Sequence, residues 1–289
     1  MGYIAAFLYA ILTALSALFI ENKISTAGST NTILFLSFVI AALFFHINGY
    51  KNITKAYKNI IRDKKNYILM CIYVGMVWVL SVYGVSYSNA LMFNIFMFMS
   101  SALIAHLASY VKNHKNKLSL WLSIVIICIL SATLLQNSKL IYGILMGVVA
   151  GAGAHLYRQA SAKFSMNNSA TVAEVLMVRF IPASILLLPF LNFNLLPATI
   201  HQHLPIILIF AFLSLIIPIF FMQYAVNHIG AIHVSIISAT VFPFIWFGDF
   251  ILHYSVYKHG INWYNLFVAT ISFVVIMIPY VHKPKRKVI

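Results

Sequence analysis

Long apolar runs are the feature that most constrains the fold of this chain. Hydrophobic residues make up 62% of its 289 residues and charged residues only 8%, against roughly a quarter in a soluble domain. A run of about 20 apolar residues crosses a bilayer as a helix, which satisfies its own backbone hydrogen bonds there. The sequence therefore predicts an all-α integral membrane protein with ten transmembrane helices. The spans are predicted at about 3–21, 31–48, 66–87, 90–111, 118–135, 141–160, 172–191, 204–226, 231–253 and 262–281.

Basic residues lie mainly in alternate connections between the predicted spans. Most of the 19 lysine and arginine residues follow the second, fourth or sixth span or lie in the tail, whereas Lys23, Lys139 and Lys258 lie on the other side. The positive-inside rule then places both termini in the cytoplasm. Topology accounts for the net charge of +15, so we expect membrane lipid as a partner and no nucleic acid. Abundant Lys, Asn and Ile fit an AT-rich bacterial genome, and hence the inner membrane.

The two halves of the chain carry matching patterns. Ten spans divide into five and five, as repeats over residues 1–140 and 141–289. Because five is odd, the second half must be inserted upside down relative to the first. Inverted repeats with a site near the bilayer midplane are a transporter architecture. A shift of 141 residues aligns Tyr224, Val226, Ala231, Ile236, Lys258 and Ser272 with Tyr83, Val85, Ala90, Ile95, Lys117 and Ser131.

Small residues recur along the sixth predicted span. Gly143, Gly147 and Gly151 lie four residues apart, so they share one helix face that another backbone can approach closely. We expect this face to pack inside the bundle, with a dimer seam as the alternative. The chain is accordingly expected to be a monomer or a homodimer.

Two motifs of the second half resemble a known transporter family. The segment Gly230–Pro243 has a small Gly-Ala turn followed by an apolar helix with a mid-span proline, and Arg179 lies early in the half's second helix. In these features the chain is similar to the drug/metabolite transporter (DMT) superfamily, in particular its EamA-type members. The first half departs from the pattern, with Ser37 at the arginine-like place and Ala102 at the proline-like place. The resemblance implies two inverted five-helix halves and translocation of a substrate by alternating access.

Asp249 is the leading candidate for a functional side chain, because a charge inside a membrane span is costly. At helical spacing it shares a face with Trp246, Phe242 and Ser238, and the repeat-related face begins at Asn94. A carboxylate near an aromatic ring suits a cationic or zwitterionic amine, or it could take up a proton and couple transport to a gradient. The alternative is that Asp249 only snorkels outward or caps a loop.

Further candidates lie near the predicted span ends. Glu21 and Arg179 are candidates for gating or coupling. We expect Arg179 to bond to carbonyls or to a carboxylate of another helix, with a substrate anion as the rival partner, and Glu174 to favour the start of its helix. His155, Tyr157 and Arg158 end the sixth predicted span on the cytoplasmic side and are candidates for a substrate exit role. Interfacial anchoring is the alternative for Tyr157, Arg158 and the other tyrosines, and core packing is the alternative for Trp78. The further substrate-binding candidates are Trp78, Tyr83, Tyr224 and His155.

Several classes of function lack their motif in this sequence. His201 and His203 are close but have no third metal ligand beside them, and no phosphate loop, nucleophile elbow or paired carboxylates occur. We therefore expect no metal, no cofactor and no enzymatic activity. The sequence favours a secondary active transporter of a small organic metabolite such as an amino-acid-like or amine compound, with export as the expected direction. Uptake of a cationic metabolite such as choline is one alternative, and a non-transporting membrane scaffold is another.

Overall fold

The computed structural model describes residues 1–25, 27, 29–112, 117–136 and 140–252. Within these residues the chain is helical, and no strand occurs. Two π-helical segments, Ile20–Ile24 and Ala211–Ile216, extend or join α-helices. The α-helices are α1 (Gly2–Phe19), α2 (Thr30–Asn48), α3 (Ile53–Arg62), α4 (Lys64–Tyr87), α5 (Ala90–Lys112), α6 (Lys117–Gln136), α7 (Ile141–Asn168), α8 (Val172–Leu187), α9 (Leu196–Phe210), α10 (Ile217–Ile229), α11 (Ala231–Ser238) and α12 (Val241–Leu252).

The distribution of side chains is that of a membrane protein. Large apolar residues such as Ile4, Leu15 and Trp121 face outward, whereas Arg158, Arg179, His106, His155 and several serines are buried. Seven helical segments among the described residues are long and apolar enough to cross a membrane. The all-α membrane class is thereby confirmed. The segments are Gly2–Ile24, Thr30–Asn48, Lys64–Tyr87, Ala90–Val111, Val172–Phe190, Phe193–Ile229 and Ala231–Leu252.

The first nine predicted spans fall on helices, and the tenth, 262–281, lies outside the described residues. The eighth is much longer than predicted, because helical structure runs without a gap from Phe193 to Ile229. The prolines Pro205 and Pro218 do not end it. A π-helical turn just before Pro218 adds a residue where the proline removes a backbone donor, and this lets the helix continue.

The ninth predicted span is broken in its middle. The turn at Ala239 and Thr240 separates α11 from α12, and their amide nitrogens bond three residues back, at 3.1 and 2.9 Å. Pro243, three residues beyond Thr240, cannot donate a helical hydrogen bond, and its ring crowds the preceding turn. The helix predicted to be continuous over 231–253 is thus interrupted just before Pro243.

Helix α7 extends eight residues past its predicted end at 160 and reaches Asn168. The prediction was wrong here because the segment after Arg158 is weakly apolar, and a hydropathy criterion ends the span there. As a result Tyr157 and Arg158, which sequence reasoning placed at the interface, are 4% and 1% exposed. They lie within the packed bundle.

The glycine face of α7 packs inside the chain, as expected. A methyl group at Gly143 would lie 2.8 Å from the carbonyl oxygen of Gly84, and one at Gly147 would lie 2.8 Å from the carbonyl oxygen of Phe93. Both neighbours are backbone atoms of α4 or α5, so α7 is seated between these two helices. Elsewhere α1 packs on α10, α11 and α12, α2 packs on α8 and α9, and α5 packs on α6 and α11.

An ion pair anchors the short helix α3 to the start of α8. Lys55 donates to Glu174 at 2.9 Å, and the Glu174 side chain is 2% exposed whereas that of Lys55 is 50% exposed. Glu174 also completes a capping box with Thr171, which agrees with its expected role at the helix start. The helix α3, which falls in a segment predicted to be a loop, is therefore tied to the membrane bundle.

Replacing Lys55 with methionine is expected to reduce the free energy of unfolding by about 1–3 kcal/mol. The buried Glu174 carboxylate would lose its cation, and removing one partner of a buried pair is costly, although the half-exposed Lys55 moderates the loss. The measurement is SDS titration in mixed micelles. Lys58→Met, on the exposed face of α3, should change stability by less than about 0.5 kcal/mol. Equal effects for the two variants would show that the pair does not stabilise the fold.

Candidate functional site

A cavity lies in the interior, between helices of both predicted halves. Its volume is about 60 Å³, several times the roughly 10–15 Å³ that one water molecule needs. The wall combines an apolar majority with hydroxyl groups and two arginines. It is lined by Tyr9, Thr13, Ser16, Ala17, Ile20, Val74, Val77, Trp78, Ser81, Val85, Phe93, Asn94, Met97, Ala154, Tyr157, Arg158, Arg179, Ser214, Ile219 and Met222.

Arg158, on α7, joins four helices at this cavity. Its Nη1 donates to the hydroxyls of Ser101 (2.9 Å) and Ser235 (3.1 Å). Its Nη2 donates to Ser238 (3.0 Å) and Tyr9 (3.3 Å). These partners belong to α5, α11 and α1, so a single guanidinium connects helices from both halves of the chain. Its Nε has no hydrogen-bond partner among the described residues.

Arg179, on α8, is fully buried, and much of its guanidinium is left without a partner. Its Nη1 donates to the hydroxyl of Tyr157, and its guanidinium carbon lies 4.8 Å from the centre of the Tyr157 ring and 4.5 Å from that of Phe180. Within the part of the chain that the structure describes, its Nε and Nη2 have no hydrogen-bond partner. We expected Arg179 to bond to a carbonyl or to a carboxylate of another helix. The described residues provide neither partner, so the prediction was wrong on this point.

A chain of polar groups continues from the arginines across the bundle. The Tyr157 hydroxyl donates to Gln223 Oε1 at 3.2 Å, and Gln223 Nε2 donates to Asn227 Oδ1 at 3.0 Å. His155 Nδ1 lies 3.1 Å from the Ser235 hydroxyl, beside Arg158. Each arginine thus anchors its own group of hydrogen-bonded side chains: Tyr157, Gln223 and Asn227 follow Arg179, and Ser235 and His155 follow Arg158.

The electrostatic character of the cavity is positive. A guanidinium stays protonated in proteins, and no carboxylate lies among the described residues that line the cavity. Glu174 is engaged by Lys55. At the start of α4, partial burial raises the pKa of the Asp63 carboxyl, but hydrogen bonds from Asn66 and Asn167 outweigh that effect and lower it overall. An anionic group is the natural complement of this cavity.

Three predicted candidates line the cavity: Asn94, Trp78 and Arg179. Asn94 is buried and donates to the carbonyl oxygen of Ala90 at 2.7 Å. Trp78 packs edge-on against Phe210 on α9, with ring centres 6.0 Å apart. These side chains bring the first-half helices α4 and α5 to the same space as Arg179 of the second half.

The stripe predicted around Asp249 is divided by the helix break. Ser238 ends α11 and binds Arg158, whereas Phe242, Trp246 and Asp249 belong to α12. Phe242 is fully buried and Trp246 stacks on Phe250 at 5.8 Å. The described residues that line the cavity do not include these four. The role of Asp249 stays a prediction.

The remaining candidates are not among the described residues that line the cavity. Tyr83 donates to Asn31 Oδ1 at 2.7 Å, which connects α4 to α2. Tyr224 stacks on His228 with ring centres 3.9 Å apart. Glu21 lies in the π-helical end of α1, and its backbone carbonyl accepts a hydrogen bond from Ser25. Their proposed roles in binding or gating stay predictions.

Sequence reasoning missed Tyr9 and the central place of Arg158. Tyr9 lies in an apolar helix without a motif, and its partner is 149 residues away in the sequence. The available signal for Arg158 was the run of small residues from Gly143 to Ala154, because such a face indicates a buried helix. A buried helix at this point is not compatible with an interfacial position for Arg158, which follows the run of small residues.

Nothing in the described residues indicates a bound metal, since no group of three His, Cys, Asp or Glu side chains is placed to hold one. The two cysteines, Cys71 and Cys128, are free thiols. The site therefore offers hydrogen bonding, positive charge and apolar surface as its chemistry.

No protein-family model matches the chain, and no curated protein matches it significantly.

Proposed function

We propose that the protein is a secondary transporter that moves a small organic metabolite across a bacterial inner membrane by alternating access. The observation that carries the proposal is the cavity itself, whose mainly apolar wall contains hydroxyl groups and two arginines and comes from both predicted halves of a bundle of apolar helices. Polar groups inside a membrane protein are costly, and they usually mark a substrate or ion pathway. Arg158 joins helices through its hydroxyl partners, but Arg179 keeps two buried donors unpaired among the described residues, and packing alone gives no reason for these.

Helix packing supports the proposal of two repeats. Under the repeat, α1, α2, α4 and α5 correspond to α7, α8, α10 and α11. The packing of α1 on α10 then corresponds to that of α7 on α4, and the packing of α5 on α7 to that of α11 on α1. The contacts of α2 with α8 and of α5 with α11 correspond to themselves. A ten-helix inverted repeat would produce this exchange pattern.

The broken helix α11–α12 supports the same proposal. Gly230 starts it with a φ of 82°, a conformation that favours glycine, and Pro243 accompanies its interruption. Both residues belong to the segment that resembles the DMT superfamily. Discontinuous helices with their ends near the midplane are common at transporter binding sites. We propose that α11 moves with Arg158 when the cavity switches from being open on one side of the membrane to being open on the other.

The proposal can be tested by transport even though the substrate is not named in advance. Purified protein is first screened for thermal stabilisation by a metabolite panel, and each stabilising compound is then tested for counterflow in proteoliposomes. We expect accumulation of labelled compound that depends on unlabelled compound inside. Stabilisation without any flux in correctly inserted, folded protein would favour a non-transporting scaffold.

Asp249 is proposed as the coupling group. Asp249→Asn is expected to reduce proton-driven transport at least about tenfold, because a carboxamide cannot take up a proton at this position, while counterflow at equal pH persists. The measurement compares uptake with and without a pH gradient. Asp63→Asn, outside the membrane spans, is the matched control and should transport normally. Unchanged pH dependence in Asp249→Asn would contradict the assignment.

A further inference from the structure

Arg179 lines the cavity and has a buried two-point binding edge that is unused among the described residues. Its Nη1 is occupied by Tyr157, whereas Nε and Nη2, which form the side edge of the guanidinium, have no partner in the described part of the chain. Two parallel N–H groups on this edge match the two oxygens of a carboxylate. Arg158 differs, because both of its terminal nitrogens already donate to hydroxyls and, among the same residues, only its Nε is unpaired.

Burial makes an unpaired guanidinium expensive. Arg179 is fully buried and Arg158 is 1% exposed, and a buried charge requires a counter-charge or full hydrogen bonding. The chain has four acidic residues in total, and among the described residues the partners of both arginines are hydroxyl groups and aromatic rings. The described fold therefore holds positive charge that its own side chains do not neutralise.

The rest of the wall indicates what accompanies the anionic group. Apolar side chains such as Trp78, Phe93 and Met97 face the same cavity, and they favour an apolar or aromatic substituent. Because no acidic side chain lies in the described wall, an ammonium group would meet two cations without a counter-charge. A compact acid with one carboxylate and an apolar body fits this combination better than an amine.

We propose that the cavity binds a small organic monocarboxylate, with its carboxylate on the Nε and Nη2 edge of Arg179 and its apolar part against Trp78 and Met97. Arg158 adds positive potential and positions α11. The inference names the substrate class of the proposed transporter and so rests on that function, yet ligand binding is measurable without transport.

The first test needs only the wild-type protein. Detergent-solubilised protein is titrated with butyrate, isovalerate and phenylacetate, and with the amide and the amine of each, while thermal unfolding is followed. We expect the acids to raise Tm and the amides to bind about tenfold to hundredfold more weakly, since the hydrogen bonds to a charged group are lost. Inorganic phosphate is titrated in the same way as a further ligand. Acids no better than amides, or stronger stabilisation by phosphate or amines, would overturn the proposal.

The second test separates binding from a structural role of Arg179. Arg179→Met removes an incompletely paired buried charge and keeps the length of the side chain. We expect its Tm without ligand to equal or exceed that of the wild type, and the acid-induced shift to disappear. Arg179→Lys retains the charge without the two-point edge, and should bind acids at least about tenfold more weakly. A lower ligand-free Tm of Arg179→Met with an unchanged acid shift would overturn the assignment.

The two proposals fail in different ways. If acids bind through Arg179 but show no counterflow, the carboxylate site stands and the transport function fails. If counterflow occurs for neutral or cationic compounds and acids do not bind, transport stands and the carboxylate site fails.

Discussion

Replacing Gly151 with alanine is expected to lower the free energy of unfolding by about 1–2 kcal/mol. A methyl group at this position would overlap the backbone carbonyl oxygen of Met97 and the hydroxyl of Ser100 on α5. Because a carbonyl inside a helix cannot move aside, α5 and α7 must separate, and overpacking of this kind costs about 1–3 kcal/mol. The cost exceeds the gain of up to about 1 kcal/mol that alanine brings to a helix. SDS titration in mixed micelles measures the change.

The same substitution at Gly75 provides the control. There the nearest atom to an added methyl group is the Leu186 Cδ1 at 3.4 Å, an ordinary contact with a flexible side chain. Gly75→Ala is therefore expected to be neutral or stabilising by up to about 1 kcal/mol. If both variants changed stability equally, the close approach of α7 to α5 would not be a feature of the folded protein.

Replacing Arg158 with lysine is expected to destabilise the protein by about 2–4 kcal/mol. The positive charge stays buried, but an ammonium group presents three donors from one atom and cannot reach the four hydroxyls that the guanidinium spans. At least one buried hydroxyl then loses its partner, and the charge itself is less well compensated. We also expect faster amide hydrogen exchange in α11, because Ser235 and Ser238 are two of the four partners.

Arg62→Lys is the matched control for this prediction. Arg62 ends the surface helix α3 and is exposed, so the same exchange of side chains should change stability by less than about 0.5 kcal/mol. Equal stability and equal hydrogen exchange for Arg158→Lys and wild type would contradict the role of Arg158 as the residue that joins α1, α5, α7 and α11.

Helix positions were largely predictable from sequence, and the interior was not. Long apolar runs located the helices at the first nine predicted positions, because a segment that must satisfy its backbone in lipid has one available structure; seven described helical segments are long and apolar enough to cross a membrane. The start of α8 was predictable as well, since Thr171 and Glu174 form a local motif. The amphipathic α3 escaped prediction because its lysines are typical of a charged connection.

The contacts that make the site could not be predicted from periodicity. Arg158 meets Tyr9, Ser101, Ser235 and Ser238, which lie 57 to 149 residues away. Hydropathy also placed Arg158 at the end of a span. In the structure the glycine face of α7 packs tightly against neighbouring helices, and the helix continues past Arg158 to Asn168. The emphasis on Asp249 came from its charge inside a predicted span and from the helical stripe that it shares with Trp246, Phe242 and Ser238. A continuous helix over residues 231–253 was assumed for its stripe, and Pro243 interrupts that helix.

Access to the cavity from both sides of the membrane tests the central claim most directly. In a background in which Cys71 and Cys128 are replaced by alanine, Ser81→Cys places a thiol in the cavity wall. Its reaction with a membrane-impermeant maleimide is measured in right-side-out and in inverted vesicles, with Lys58→Cys on the exposed face of α3 as the one-sided control. We predict modification of Ser81→Cys from both sides and of Lys58→Cys from one. Modification of Ser81→Cys from one side only, or from neither, would contradict alternating access.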